Sequence, residues 1–133
     1  MADAKFFYGL GRRKSATARV RLSSGKGNII VNNRPLADYL SASQSLQAET
    51  VSPFTVLELN PGKYDVSAVV AGGGSSSQVD AVKLGIAKAL CAINEDFRPT
   101  LKRADLLGRD PRERERKKAG LKSARKKRQF TKR

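Results

Sequence analysis

The sequence contains no histidine and no tryptophan, and Cys91 is its only cysteine. Without histidine, the chain lacks the commonest metal ligand and the commonest general base. A single thiol excludes an internal disulfide framework and fits a reducing compartment, so we expect Cys91 to be a small apolar residue on the buried side of a helix. The acidic residues are scattered rather than paired for acid–base work. We therefore expect a protein that is not an enzyme, holds no metal or other cofactor and has no small-molecule substrate.

Long apolar runs are also missing. No stretch approaches the roughly 18 apolar residues that a membrane-spanning helix requires. The N-terminal segment MADAKFFYGLGRRK has neither the apolar region of a signal peptide nor the pattern of an amphipathic transit peptide. These features predict a protein without a membrane partner that stays where it is translated, in the cytoplasm or in an organelle matrix.

Positive charge is abundant, with 27 Lys and Arg residues against 12 Asp and Glu residues and a net charge of +15. Residues 98–133 contain 16 of those cations and only four acids. From Gly120 to the end, GLKSARKKRQFTKR has seven cations and no acid. Such a segment repels itself and has little apolar surface to bury, so it needs a polyanion, usually a nucleic-acid backbone. The alternative is a solvated charge run that serves only solubility.

The composition divides the chain into two parts. Residues 1–108 include most of the Val, Ile and Leu residues and are long enough for one modest core, so we expect a globular α/β domain there. Residues 109–133 are expected to be an extended basic tail. Alternating apolar residues and turn residues predict strands over 6–13, 16–22, 28–32 and 63–71, the second and third pairing as a hairpin.

The strongest helix is predicted over residues 77–94, with Ser77 and Asp80 as an approximate capping box. Its apolar stripe consists of Val79, Val82, Ile86, Leu90 and Ile93. Gly85, in the middle of this helix, costs about 1 kcal/mol relative to Ala, which indicates close packing against another backbone. Shorter helical segments are predicted over 35–40 with an Asn33 cap, over 43–59 with a break at Pro53, and over 98–107 with Gly108 as its end.

A second basic patch is expected near the N-terminus. It comprises Arg12, Arg13, Lys14, Arg19 and Arg21, and a turn at Gly9 and Gly11 would hold the backbone close to a phosphate. The alternative is an exposed strand edge that charge protects from aggregation.

Three glycines, Gly72, Gly73 and Gly74, precede the long helix and form a plausible phosphate-approach loop. Backbone N–H groups and the helix dipole would face an anion there. A tight strand-to-helix connection explains the same glycines equally well. Lys83 and Lys88 lie on the polar side of the predicted helix, from which they would reach a nucleic-acid backbone.

Three segments resemble a known family when taken in order: YGLGRRKSATARVRL at 8–22, GGGSSSQVDAVKLGIAKAL at 72–90, and RDPRERERKKAGLKSARKKRQFTKR at 109–133. They are similar to the universal ribosomal protein S-nine family, the ninth protein of the small ribosomal subunit, over the whole chain. The resemblance implies an α/β (α+β) domain like the second domain of ribosomal protein S-five. That fold has a four-stranded sheet, helices on one face and a left-handed crossover.

The resemblance also implies a function without chemistry of its own. The protein would be a structural constituent of the small subunit, in the ribosome of the cytoplasm or an organelle. It would bind the 3′ major domain of the rRNA in the subunit head, beside neighbouring ribosomal proteins, and its tail would thread through rRNA to the anticodon stem-loop of the P-site tRNA. Carried over to this sequence, the tRNA contacts fall on Arg128, Lys132 and Arg133.

The resemblance places rRNA contacts on the basic block Arg12, Arg13 and Lys14. We expect further rRNA contacts from Arg19, Arg21, Lys83 and Lys88 and from the cations of the tail. The tail residues are Arg109, Arg112, Arg114, Arg116, Lys117, Lys118, Lys122, Arg125, Lys126, Lys127 and Arg128. Two positions depart from the family pattern: Ser77 replaces a common Gly, and Lys88 replaces a usual Arg. Ser77 costs little if its φ is negative, whereas Lys88 loses the bidentate fork of a guanidinium.

Two other functions compete with this interpretation. Small-molecule kinases of the galactokinase and homoserine kinase type share the fold and have a Gly- and Ser-rich loop before a helix. They are about twice as long, and no catalytic carboxylate is evident in this sequence. A nonspecific nucleic-acid or membrane-surface binder would use the tail alone, and it would not need the arginine-bearing strands.

Overall fold

The structure, a computed structural model, describes residues 6–40 and 43–108. Its strands are β1 (Phe7–Arg13), β2 (Ala16–Ser24), β3 (Ile29–Val31), β4 (Arg34–Pro35) and β5 (Tyr64–Ala71). Its α-helices are α1 (Leu36–Tyr39), α2 (Gln44–Thr50), α3 (Ser52–Val56), α4 (Ser75–Ile93) and α5 (Arg98–Arg103), with 3₁₀ turns at Pro61–Lys63 and Glu95–Phe97. The mixed α+β class is confirmed. The predicted four-stranded sheet has a fifth, two-residue strand, β4.

The sheet order is β1-β2-β5-β3-β4. β2 pairs antiparallel with both β1 and β5, whereas β3 pairs parallel with β5 and antiparallel with β4. The predicted hairpin of the second and third strands is therefore wrong, because β5 lies between them. The loop after β2 is instead held by the 3₁₀ turn before β5: the Gly25 N–H donates to the Lys63 carbonyl at 3.0 Å. The parallel β3–β5 pair requires a crossover, and its left-handedness stays a prediction.

The alternation in β2 places one set of side chains in the core and the other in solvent. Ala16, Ala18, Val20 and Leu22 are completely buried, and the residues between them are not. Val66, Ala68 and Val70 of β5 continue this buried face, which α4 covers. The opposite surface of β1, β2, β5 and β3 is called here the open face. It carries the alternate residues, including Tyr8, Arg19, Arg21, Ser67, Val69 and Ile30.

Gly9 and Gly11 allow β1 to lie directly against α4. A Cβ atom on Gly9 would overlap the Gly85 carbonyl oxygen, and one on Gly11 would overlap the Ala81 carbonyl oxygen. The prediction that Gly85 packs against another backbone is confirmed, since a Cβ there would lie 3.2 Å from the Gly9 carbonyl oxygen. The predicted turn at Gly9 and Gly11 is wrong, because both are buried residues within β1. They accommodate a helix rather than a phosphate.

Helix α4 begins two residues earlier than predicted, at Ser75, with Gly74 as its N-cap. Ser77 therefore lies inside the helix, and the predicted capping box with Asp80 is wrong. The apolar stripe is confirmed for Val79, Val82, Ile86 and Leu90, which are buried, while Ile93 is partly buried. Cys91 is 2% exposed on the same helix, as predicted.

Asn33 does not cap α1, whose N-cap is Pro35. Asn32 and Asn33 form the two-residue connection between β3 and β4, and both have positive φ, 51° and 64°. This is the pattern of a type I′ hairpin turn, which Asn tolerates well. The break at Pro53 is confirmed, because Pro53 lies in the first turn of α3. The last predicted helix is shorter than expected, since α5 ends at Arg103.

Candidate nucleic-acid interface

The strand register groups two predicted cations, Arg19 and Arg21, on the open face. Arg19 of β2 lies between Leu10 of β1 and Val69 of β5. Arg21, two residues on, lies between Tyr8 and Ser67. Both arginines are exposed. A guanidinium at such a position can donate several hydrogen bonds to phosphate oxygens without leaving the sheet.

Apolar side chains stand among these arginines. The exposed fractions are 50% for Phe6, 49% for Tyr8, 41% for Ile30 and 60% for Val69. The guanidinium carbon of Arg21 lies 5.1 Å from the centroid of the Phe6 ring, within cation–π range. The face therefore combines positive charge with flat apolar surface rather than presenting charge alone.

The described strand residues of the open face include one acid, Asp65. Its Oδ1 accepts the N–H groups of Lys26 at 2.9 Å and Asn28 at 3.1 Å. The hydrogen bonds from Asn28 and Lys26 lower the pKa of Asp65, because they stabilise the ionised carboxylate. This carboxylate thus fixes the loop after β2, and its charge is directed at that loop's N–H groups.

The predicted N-terminal basic patch is divided by the sheet. Arg13 lies on the α4 side, where its Nε is 3.5 Å from Asp80 Oδ2, while Arg19 and Arg21 lie on the open face. Lys83 Nζ is 3.4 Å from Asp80 Oδ1 and 3.8 Å from Glu49 Oε2. Asp80 therefore partly neutralises both cations. Among the remaining predicted cations of the described domain, Arg12, Lys14 and Lys88 are exposed.

A groove on the α4 side connects this charged cluster with the end of the described chain. It has a volume of about 240 Å³, and Arg12, Arg13, Lys83 and Asp105 contribute to its lining together with Gly108. Gly108 immediately precedes the segment 109–133. The strongly basic segment therefore begins beside cations of the domain.

The loop of Gly72, Gly73 and Gly74 has a clear structural role at its first two positions. Gly72 and Gly73 have φ values of 78° and 68°. A Cβ on Gly72 would overlap the Ser15 carbonyl oxygen, and one on Gly73 would lie 3.0 Å from Ala16 Cβ. The tight-connection alternative explains these two glycines. Gly74 has nothing within 4 Å of an added Cβ, and contact of this loop with phosphate stays a prediction.

The two departures from the family pattern are easily accommodated. Ser77 is helical and does not have a positive φ, so the serine causes no backbone strain. The following residue, Gln78, ties the loop to its surroundings: its Nε2 donates to the Gly72 carbonyl at 3.0 Å, and its Oε1 accepts the Tyr39 hydroxyl at 2.6 Å. Lys88 is exposed and does not disturb the packing of α4.

Three observations on the described residues concern the cysteine, metal-ligating side chains and helix length. Burial raises the pKa of the Cys91 thiol and disfavours the nucleophilic thiolate. Residues 6–40 and 43–108 contain no group of three or more acidic, Cys or His side chains arranged to hold a metal ion. No helix within these same ranges has the length and apolar character needed to cross a membrane.

The open-face residues that sequence reasoning missed are Phe6, Tyr8, Ile30 and Val69. The position of Tyr8 could have been predicted from the alternation of side chains along β1. If Gly9 and Gly11 face a helix, then Tyr8 must face away from it. The predicted tail contacts lie outside the described residues. They are Arg109, Arg112, Arg114, Arg116, Lys117, Lys118, Lys122, Arg125, Lys126, Lys127, Arg128, Lys132 and Arg133.

A small α+β domain with exposed arginines on one face of its sheet, followed by a strongly basic segment, has the organisation of a nucleic-acid-binding protein. A family model described as ribosomal protein S9/S16 matches residues 11–133. The chain therefore belongs to the ribosomal protein S9/S16 family and is a structural protein of the small ribosomal subunit.

Membership confirms the resemblance found in the sequence and, with it, a role in translation as an RNA-binding component of a ribonucleoprotein. The family is structural rather than enzymatic, which disfavours the small-molecule kinase alternative. Small-subunit rRNA and other ribosomal proteins of that subunit are the partners that membership implies, and the ribosome is its location.

Proposed function

We propose that the chain binds the 3′ major domain of the rRNA in the head of the small subunit, in ribosomes of the cytoplasm. Residues 1–108 act as the globular rRNA-binding domain, and residues 109–133 act as an extended basic tail. The domain fixes the position of the protein on the rRNA, while the tail supplies additional phosphate contacts. Neighbouring ribosomal proteins of the head complete the surroundings of the domain.

The observation that carries this proposal is the pair Arg19 and Arg21 on the open face. Both are exposed, and the acid that shares their face, Asp65, is bonded to backbone N–H groups. Two further exposed cations, Arg12 and Lys14, lie at the turn end of the same β1–β2 hairpin. A phosphate backbone is the partner that such an arrangement favours.

Arg13, Lys83 and Lys88 belong to the helix side of the same rRNA-binding surface. Arg13 and Lys83 line the groove that reaches Gly108, so a phosphate could bind there beside Asp80 while the tail leaves toward the RNA. Gly72, Gly73 and Gly74 form the phosphate-approach loop at the N-terminus of α4. In this proposal, the cations of the tail named above contact rRNA phosphates along the length of the tail.

The end of the tail has a separate role in the proposal. Arg128, Lys132 and Arg133 contact the P-site tRNA, whose phosphates attract these final cations. Deletion of Lys132 and Arg133 should leave rRNA binding nearly unchanged and accelerate dissociation of P-site tRNA from reconstituted small subunits. An unchanged tRNA dissociation rate would exclude the tRNA role while leaving the rRNA role intact.

Backbone phosphates should supply most of the rRNA affinity. If the hairpin and the tail neutralise about ten phosphates, the logarithm of the association constant should fall with the logarithm of salt concentration at a slope of about −7 to −9. Each cation removed from the interface should make that slope less steep by nearly one. The slope therefore counts contacts independently of sequence specificity.

The experiment that tests the proposal compares binding of the full chain and of a truncation ending at Gly108 across a salt series. One RNA is the head-domain rRNA fragment, and the other is an unrelated RNA of equal length. We expect the full chain to prefer the head fragment, and the truncation to retain some preference with a flatter salt slope. Equal binding of both proteins to both RNAs would reject the proposed division of roles.

A charge-matched pair of variants localises the interface on the domain. Arg19→Ala with Arg21→Ala should weaken binding to the head fragment and flatten the salt slope by about two. Arg34→Ala with Arg103→Ala removes the same charge at exposed positions outside the open face, one opposite Val31 and the other on α5, and should have a smaller effect. Equal losses from the two pairs would mean that only net charge matters.

A further inference from the structure

Two shallow hollows flank Arg21 on the open face. The first has a volume of about 190 Å³ and is lined by Tyr8, Arg19, Arg21, Ser67 and Val69. The second, of about 290 Å³, has Phe6, Ile30 and Asp65 in its lining and shares Arg21 with the first. Each hollow thus has an aromatic side chain on one side, an aliphatic side chain on the other, and the same guanidinium between them.

The distance between the Phe6 and Tyr8 rings indicates whether bases bound in the two hollows can be stacked on each other. Phe6 immediately precedes β1 and Tyr8 is the second residue of that strand, a separation of two residues that corresponds to about 7 Å in an extended chain. Successive bases in a stacked nucleic-acid strand are only about 3.4 Å apart. Bases that occupied both hollows would therefore have to be separated from each other, as they are in single-stranded loops and bulges of RNA.

The chemistry of the hollows also favours unpaired bases over a duplex. Bases in a duplex are stacked on each other, so a double helix would offer its phosphates to Arg19 and Arg21 and would leave the rings of Phe6 and Tyr8 in water. Aromatic and aliphatic surface exposed by 40–60% gains stability when a flat ring covers it. An unstacked nucleotide supplies both a ring for the hollow and a phosphate for the guanidinium.

We propose that the open face binds two successive unstacked nucleotides of single-stranded RNA. One base lies against Tyr8 and Val69, the next lies against Phe6 and Ile30, and Arg19 and Arg21 hold the phosphates. This inference rests on the proposed rRNA-binding function and names the kind of RNA element that the domain takes. A protein segment is the other conceivable occupant, but the exposed arginines favour a polyanion.

The absence of tryptophan from the chain makes a direct test possible. Tyr8→Trp gives a full-length protein with one tryptophan on the open face, and Ala37→Trp gives a control at an exposed position of α1, outside the proposed RNA contacts. The probes are decauridylate and an RNA duplex of ten base pairs. We expect fluorescence of Trp at position 8 to be quenched by the single strand and not by the duplex, and the control to respond to neither.

Affinity measurements on the full chain separate stacking from charge. Tyr8→Leu should weaken binding to decauridylate by about fivefold to a hundredfold, whereas Tyr8→Phe should keep most of the affinity because the ring is retained. Binding to the duplex should change little in either variant. Tyr8 is half exposed, so both substitutions leave the core untouched, and circular dichroism confirms the fold.

Three results would overturn the stacking proposal. They are equal quenching by single strand and duplex, no quenching by either RNA, and a position-8 response to small-subunit proteins but not to RNA. If the same protein still prefers the head-domain rRNA fragment, only the stacking proposal fails. If that preference is also absent, the proposed rRNA-binding function fails with it.

Discussion

Gly9 of β1 lies against Gly85 of α4 so closely that neither position has room for a side chain. A Cβ on Gly9 would overlap the Gly85 carbonyl oxygen, and a Cβ on Gly85 would lie 2.5 Å from Val20 Cγ2. Because β1 is an edge strand of the sheet, this contact and that of Gly11 with Ala81 hold β1 against the helix. The orientation of the open face depends on them.

Gly9→Ala should therefore destabilise the protein by about 2–3 kcal/mol, since a backbone rather than a flexible side chain must move. That corresponds to a decrease in Tm of roughly 10–20 °C for a domain of this size. Gly74→Ala is the matched control, because nothing lies within 4 Å of its Cβ and its φ is −102°. Urea unfolding of the two variants measures the difference, and equal stabilities would contradict the packing described.

The side chain of Asn32 extends the pairing of β3 with β5. Its Nδ2 donates to the Val70 carbonyl at 3.0 Å, and its Oδ1 accepts the Val70 N–H at 2.8 Å. Asn32→Ala should cost about 2 kcal/mol more than Asn33→Ala, because it leaves two partly buried backbone groups without partners. Both positions have positive φ, so the difference in unfolding free energy isolates the hydrogen bonds. Similar losses from both variants would show that only backbone strain matters.

Asp80 competes with RNA phosphates for Arg13 and Lys83. Asp80→Asn should raise affinity for the head-domain rRNA fragment and make the salt slope steeper by about one to two, while the folded state loses only about 1 kcal/mol or less. Asp38→Asn makes the same change in charge on α1, at the opposite end of the sheet order. Binding assays across a salt series should show a larger gain for Asp80→Asn. A gain no larger than that of Asp38→Asn would mean that these ion pairs do not limit RNA binding.

Asp65 makes the unfolding free energy of the domain depend on pH in the acid range. Its pKa is lower in the folded state than in the unfolded chain, because the N–H groups of Asn28 and Lys26 stabilise the carboxylate. The stabilisation is complete above the unfolded pKa of about 3.9 and is lost as pH falls through the lower folded pKa. The wild-type protein and Asp65→Asn should thus differ most in stability near neutral pH and converge in acid. Urea unfolding at a series of pH values tests this, and a constant difference would contradict it.

Local pattern predicted most of the elements and the side of each strand that is buried. The alternation around Val20 and the stripe around Ile86 needed no tertiary information, since periods of two and of about 3.6 appear directly in the sequence. The caps were less predictable. Asn33 has a side chain suited to a helix N-cap, but it lies in the hairpin turn between β3 and β4. Asn is common both at N-caps and in such turns, so the local sequence does not show which role it takes.

Strand order was the main failure, and its cause is long-range. Nothing between Ser23 and Asn28 shows that Asp65, far along the chain, bonds the N–H groups of that loop and directs it away from a hairpin. The site was partly predictable for a related reason. Arg19 and Arg21 were found from alternation, but the separation of Arg13 from them required knowing which side of β1 faces α4.

The position of β5 in the middle of the sheet has a consequence for the order in which the newly made chain can fold. A chain that ends before Tyr64 contains the β1–β2 hairpin and the β3–β4 pair, but it lacks the strand that joins them. Isolated two-stranded hairpins are marginal in water, and α4, the cover of the buried face, is synthesised later still. Arg19 and Arg21 are therefore exposed to RNA in an unfinished chain, well before the sheet that orients them exists.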